Sequence, residues 1–187
     1  MAYKHDTLEK YLADLAARMP APGGGSASAL TAAIAAALIS MVVNFTLGKQ
    51  KYAQHEKDLK VIIEKSEKLR KEFLELVDLD VVAYKSKNIR DALDVPFMLA
   101  RLCYEAIRLC PPLIKKGNLN LISDVAVAAV FLEAAFVSAC FNVEINLKTF
   151  GDKKLSQMIR KELAIKEKRI KKIRSQMEDK IGKIIRG

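Results

Sequence analysis

The sequence predicts an all-α fold: a bundle of about six helices in which two weakly charged helices lie buried at the centre. Three observations point there. Apolar residues recur at helical spacing along the whole chain, and no alternating run marks a strand. Only 6% of residues are aromatic and none is tryptophan, while 51% are hydrophobic, so the core must be built from Ala, Leu, Ile and Val. Two long segments, 20–47 and 121–150, are nearly continuous in small or apolar residues. At 187 residues, one domain spanning 1–187 is expected, long enough to bury a full core.

Each element follows from local signals. Thr7–Ala17 forms a short first helix with Leu8, Tyr11, Leu12 and Leu15 on one side, ended by Pro20 and Pro22. The second runs from about Ser26, its cap, to Leu47, and stops at Gly48. The third spans about Tyr52 to Asn88, with Leu59, Ile62, Ile63, Leu69, Phe73, Leu76 and Leu79 on a continuous apolar face. Asp94 is placed to cap a fourth helix with Pro96 in its first turn. Pro111 and Pro112 must interrupt that helix, and Gly117 ends it. The fifth begins at 121–124 and continues to Phe150, apolar nearly all round, so it belongs beside the second. The sixth fills Lys153–Arg186, with Leu155, Ile159, Leu163, Ile170, Ile173, Met177, Ile181 and Ile184 on one stripe. That stripe must pack against its own bundle or a second subunit.

Charge and composition narrow the function classes. The uncharged stretch from Pro20 to Leu47 is long enough to cross a bilayer. It is rich in Ala, Gly, Ser and Thr, however, and a small-sided central helix of a soluble bundle explains it better than a membrane span. The first residues, MAYKHDTLEKYL, show no basic leader followed by an apolar run, so a cytoplasmic protein is expected. Cys103, Cys110 and Cys140 show no CxxC spacing and read as reduced core residues. His5 and His55 lie in polar surroundings and read as surface residues, so no metal is expected. The net charge of +10 is concentrated after Gly151, where Lys and Arg exceed Asp and Glu. No aromatic residue alternates with those charges, so a solvated helix face is favoured over nucleic-acid binding.

Candidate chemistry lies in polar residues within apolar helices. Gly23, Gly24 and Gly25 followed by Ser26 open a helix, where free amides and the dipole suit an anion; a plain tight turn is the alternative. Asp80 and Tyr84 are four apart, on one helix face. Asp124 opens the fifth helix after Asn118, Asn120 and Ser123, and serves either as a dipole partner or in a site. Ser138, Asn142 and Asn146 repeat every four residues and either bridge helices or bind a ligand. Asp124 and Asn142 are separated by about 27 Å of helix at about 1.5 Å per residue. Unless the helix is broken they cannot line one small pocket within a subunit; either a site shared between subunits or two separate sites would account for both, which is one reason to expect a dimer.

Taken together, PAPGGGSASAL at 20–30, LVDLDVVAY at 76–84, KKGNLNLISDVAVAA at 115–129 and NVEINL at 142–147 resemble the formiminotetrahydrofolate cyclodeaminase family. That family also includes a bacterial methenyltetrahydrofolate cyclohydrolase. The resemblance covers most of the chain and is weakest in the last helix. It implies an all-α homodimer acting on a tetrahydrofolate one-carbon derivative, polyglutamylated or not, with no cofactor beyond that substrate and no membrane role. Family members also occur fused to a formiminotransferase domain, which for this chain would be a separate protein. Asp124, and after it Asp80, are then the candidates for proton transfer or for stabilising the amidinium charge. Gly23, Gly24, Gly25 and Ser26 would hold the pterin or a carboxylate through backbone amides, and Asn142 and Asn146 would bond the pterin edge. Tyr84 and Asn118 would join the binding residues, and Lys115 and Lys116 would meet the glutamate tail.

Overall fold

The structure is a computed structural model that describes residues 2–187. It is all-α, with α1 Leu8–Ala16, α2 Gly24–Asn44, α3 Glu56–Ser86, α4 Ile89–Ile107, α5 Cys110–Lys116, α6 Ile122–Phe150 and α7 Lys153–Arg186. Short 3-10 turns at Tyr3–His5, Gln50–His55 and Leu119–Leu121 complete the described chain.

Small side chains put α2 at the centre. Ala29, Ala32, Ala33, Ala35 and Ala36 are all buried and let α3 and α6 approach from two sides. Further along, Ile39, Val42 and Val43 continue the buried face of α2, in one core with Phe73 of α3 and Leu132 and Phe136 of α6. One polar contact crosses the α2–α3 seam, between the buried Ser40 and Ser66 hydroxyls at 2.9 Å. On its other side α6 packs against α4 and α7, so the two weakly charged helices form the spine of the bundle.

Local boundaries differ from expectation at several points, each with a physical reason. α2 begins at Gly24 with extended Gly23 as its N-cap, which places Ser26 in the first turn and not at the cap. α4 begins at Ile89 because Asn88, not Asp94, is its cap: the Asn88 Oδ1 accepts from the Arg90 and Asp91 amides at 2.9 and 3.4 Å. Lys87 ends α3 in the left-handed region at φ 54°, so the chain reverses at once and the next helix starts early. Asp94 instead pairs with Arg90 on the surface at 2.7 Å. The fourth expected helix is divided at Arg108–Leu109. Pro111 and Pro112 fall in the first turn of α5, where a missing amide costs little.

The early start leaves Pro96 inside α4, not in its first turn. Proline cannot donate to the carbonyl four residues earlier, so the Ala92 carbonyl loses its helical partner. The Asn146 Nδ2 of α6 donates to that carbonyl at 2.6 Å. A defect in one helix is thus filled from its neighbour, and the bond pins α4 to α6.

The basic α7 is fastened by ion pairs to acidic residues of the bundle. Arg160 meets Glu144 and Arg174 meets Glu133, both on α6, while Glu162 takes Arg101 of α4 at 2.6 Å. Ile159, Leu163, Ile170, Met177 and Ile181 bury its apolar stripe. The three cysteines are free; Cys103 and Cys110 are buried and Cys140 is half-buried, and burial raises all three thiols above the ordinary range. His5 is exposed, whereas His55 is half-buried at the end of a 3-10 turn.

Removing the Asn146 amide strands the Ala92 carbonyl. Asn146→Ala is expected to cost about 1–3 kcal/mol in urea unfolding. In a Pro96→Ala background the loss should shrink, because residue 96 regains an amide for the same carbonyl.

Candidate active site at the glycine turn

The first turn of α2 already holds an anion from within the chain. The Asp80 carboxylate of α3 accepts the Ser26 N–H through Oδ2 at 2.9 Å. Its Oδ1 lies so close to Gly25 that a Cβ built there would stand 2.0 Å from it. Gly25 is therefore glycine because a carboxylate occupies the space of its side chain, whereas a Cβ on Gly23 would meet nothing. Asp80 sits where free amides and the helix dipole both favour negative charge. Burial still pushes its pKa above the ordinary carboxylate range, against the Ser26 N–H, which favours the ionised form. A half-buried carboxyl held above its usual range is suited to giving and taking protons.

Two flanks meet at this turn. On one side, Asp80 and the exposed Tyr84 stand one turn apart on α3. On the other, the Asn142 Nδ2 lies 4.0 Å from the Cβ position of Gly24, at the head of a groove of about 390 Å³ between α2 and α6. Ala27, Thr31, Ala134, Ser138 and Phe141 line it, and the Asn142 Nδ2 donates to the Ser138 carbonyl at 2.9 Å. Asn146 lies one turn further along, with its Nδ2 on the Ala92 carbonyl, so its amide oxygen is the group left for a ligand.

Asp124 and Asn118 do not join that cluster within the chain. Asp124 is half-buried in the first turn of α6, at the far end from Asn142. Asn118 is buried beside the C-terminus of α2, where its N–H donates to Thr46 Oγ1 at 3.0 Å and its Nδ2 to the Phe45 carbonyl at 3.4 Å. Lys116 pairs with Asp58 at 2.5 Å, and Lys115 is exposed. Tyr11, which sequence reasoning placed only on an apolar face, belongs to the glycine turn: its hydroxyl meets the Ser26 hydroxyl at 3.1 Å, both residues buried. No spacing rule connects positions 11 and 26, so no local signal could have found this pair. Among the described residues no group of three or more His, Cys, Asp or Glu is placed to hold a metal ion.

The family model of formiminotransferase-cyclodeaminase matches residues 7–88 and 85–165. The chain belongs to that family. It is 38% identical over 182 residues to a methenyltetrahydrofolate cyclohydrolase of Methylorubrum extorquens, covering 85% of this chain and 88% of that one. It is 31% identical over 169 residues to the formimidoyltransferase-cyclodeaminase of Rattus norvegicus, covering 78% of this chain but only 31% of the rat protein. A formiminotetrahydrofolate cyclodeaminase from Thermotoga maritima has the same fold, with a TM-score of 0.92 at 28% identity over 97% of this chain and 98% of that one. Most of α7 lies beyond the family match. The glycine turn, Asp80, Asp124 and Asn142 all lie inside it.

Gly25→Ala is expected to drive Asp80 from the α2 amides, because carboxylate and Cβ cannot share the position. Gly23→Ala, in open space, should stay within about 0.5 kcal/mol of the parent in urea unfolding. A Gly25→Ala protein as stable as Gly23→Ala, with Asp80 still on Ser26, would contradict this reading of the turn.

Proposed function

We propose that this protein acts at the one-carbon bridge of tetrahydrofolate, cyclising 5-formiminotetrahydrofolate to 5,10-methenyltetrahydrofolate with release of ammonia. The observation that carries this reading is Asp80: a half-buried carboxyl on the first turn of α2, poised above its ordinary range. In the cyclisation, the 10-nitrogen attacks the formimino carbon and loses its proton, and the former imino nitrogen leaves as ammonia once protonated. Both proton transfers need a nearby group able to take and return a proton. The cationic methenyl product also gains from a carboxylate beside it. Asn142, the glycine amides not taken by Asp80, and Tyr84 bind the pterin in this reading, with no cofactor beyond the substrate.

A homodimer completes the site. α6 bears an exposed apolar stripe of Val127, Val130, Phe141 and Ile145, with Phe141 72% and Ile145 57% exposed, and Ile34 of α2 is exposed as well. Only 39% of the most apolar window of α6 is buried, against 61% for α2. An uncovered stripe of that kind calls for a partner surface. A second copy packed along α6 in the opposite sense brings its own Asp124 to the Asn142 end. That arrangement reconciles the two clusters that one chain keeps apart, and it covers the stripe in a cytoplasmic protein without lipid. The formimino group would be loaded by a separate transferase.

Cyclohydrolysis is the second reading, favoured by the 38% identity to the Methylorubrum extorquens cyclohydrolase. There water attacks the methenyl carbon, the bridge opens at the 5-nitrogen, and 10-formyltetrahydrofolate forms. Absorbance of methenyltetrahydrofolate separates the two: it rises from the formimino substrate in cyclodeamination and falls from the methenyl compound in cyclohydrolysis. No change with either substrate overturns both. With Asp80 acting as base in its ionised form, the rate should climb with pH through a midpoint above the usual Asp value. Asp80→Asn should abolish that limb and lower kcat by about 10²-fold or more.

A further inference from the structure

We infer that Tyr11 is a positioning residue for Asp80, acting through Ser26 from the N-terminal arm. The inference rests on the role of Asp80 proposed above and extends the site to a helix outside it.

The first turn of α2 has little to fix it. Its cap and first two residues are Gly23, Gly24 and Gly25, with no side-chain cap bond, and glycine backbones deform cheaply. Ser26 is the first residue of the helix with a side chain, and both of its polar handles are held from outside. Its N–H is taken by Asp80 at 2.9 Å, and its hydroxyl meets Tyr11 at 3.1 Å. Ser28 and Thr31 turn their hydroxyls onto carbonyls of their own helix, Gly24 and Ala27, at 2.6 and 2.9 Å. Ser26 alone of these three spends its hydroxyl on another element. Both members of the Tyr11–Ser26 pair are buried, so loss of either hydroxyl leaves the other without its partner.

The arm that carries Tyr11 is itself anchored to α3, the helix of Asp80. The Tyr3 N–H donates to Asp78 Oδ1 at 2.6 Å, and Lys4 Nζ reaches Glu75 at 2.6 Å. The Tyr3 ring stacks edge-on against Tyr11 with centroids 5.3 Å apart. The Tyr3 hydroxyl, by contrast, donates to Asp14 at 3.0 Å and not to Ser26. Asp80 and Tyr11 thus share a scaffold and hold one serine by its two polar groups. Burial raises the Tyr11 hydroxyl above the ordinary phenol range, so it stays a neutral hydrogen-bonding group at working pH.

The test compares Tyr11→Phe, Ser26→Ala and, as control, Tyr3→Phe with the parent. The Asp80 carboxyl is followed by carbon-13 NMR titration, and kcat and KM are measured with the formimino and methenyl substrates. Tyr11→Phe and Ser26→Ala should each raise the Asp80 midpoint by about half to one pH unit, as the Ser26 N–H loosens. Each should lower kcat about tenfold with KM within about twofold, and should move the acid limb of the pH–rate profile upward in step with the titration. Tyr3→Phe, which removes an arm hydroxyl of the same kind, should leave the midpoint in place. A folded Tyr11→Phe protein with the parental midpoint overturns the proposal, as does a Tyr3→Phe protein shifted equally. Should Tyr11→Phe fail to fold, Ser26→Ala reads the same link from its smaller side. If the parent turns over neither substrate, the folate reading falls, while the titration still decides the role of Tyr11.

Discussion

The site depends on one contact: a carboxylate of α3 seated on the N-terminal amides of α2. Asp80 and Gly25 exclude any alternative at each other's position, since a Cβ on residue 25 would fall inside the carboxylate. That contact fixes where α2 starts, how α3 lies against it, and which amides remain for a ligand. It also sets the proton affinity of Asp80, because burial and the helix start act on it in opposite directions. The closely packed alanines that follow serve the same end, bringing α2 near enough to α3 and α6 for the turn to meet both.

Around that contact the polar residues divide by task. Asn146 and Asn118 spend their amide donors on backbone carbonyls that would otherwise lack a partner or a tether. Asn142, Tyr84 and Asp124 are the ones on which the proposed site draws. The repeat of Ser138, Asn142 and Asn146 on α6 thus mixes two roles on one face. The proline inside α4 explains one of them, since it creates the unmet carbonyl that Asn146 fills.

The sequence made the fold legible because helical periodicity is strong in α3, α6 and α7 and strand signals are lacking. It made the glycine motif legible as a helix start with a taste for anions. It did not show that the anion is internal, because the partner of Ser26 lies 54 residues away on another helix and no local rule links them. Asp94 looked like a cap since Pro96 follows it, yet Asn88 won because the left-handed Lys87 had already turned the chain. Tyr11 read as core for the same reason that Asp80 read as one candidate of two: its meaning arises only when α1 and α2 meet. The separation of Asp124 from Asn142, by contrast, is plain from helix rise alone.

The most direct measurement is a crystal structure of the protein with a tetrahydrofolate analogue bound. The account predicts the analogue at the glycine turn, its one-carbon position beside Asp80 and its pterin near Asn142, with Asp124 of a second copy completing the pocket. An analogue seated away from the glycine turn, with Asp80 still on Ser26 and out of its reach, would contradict it.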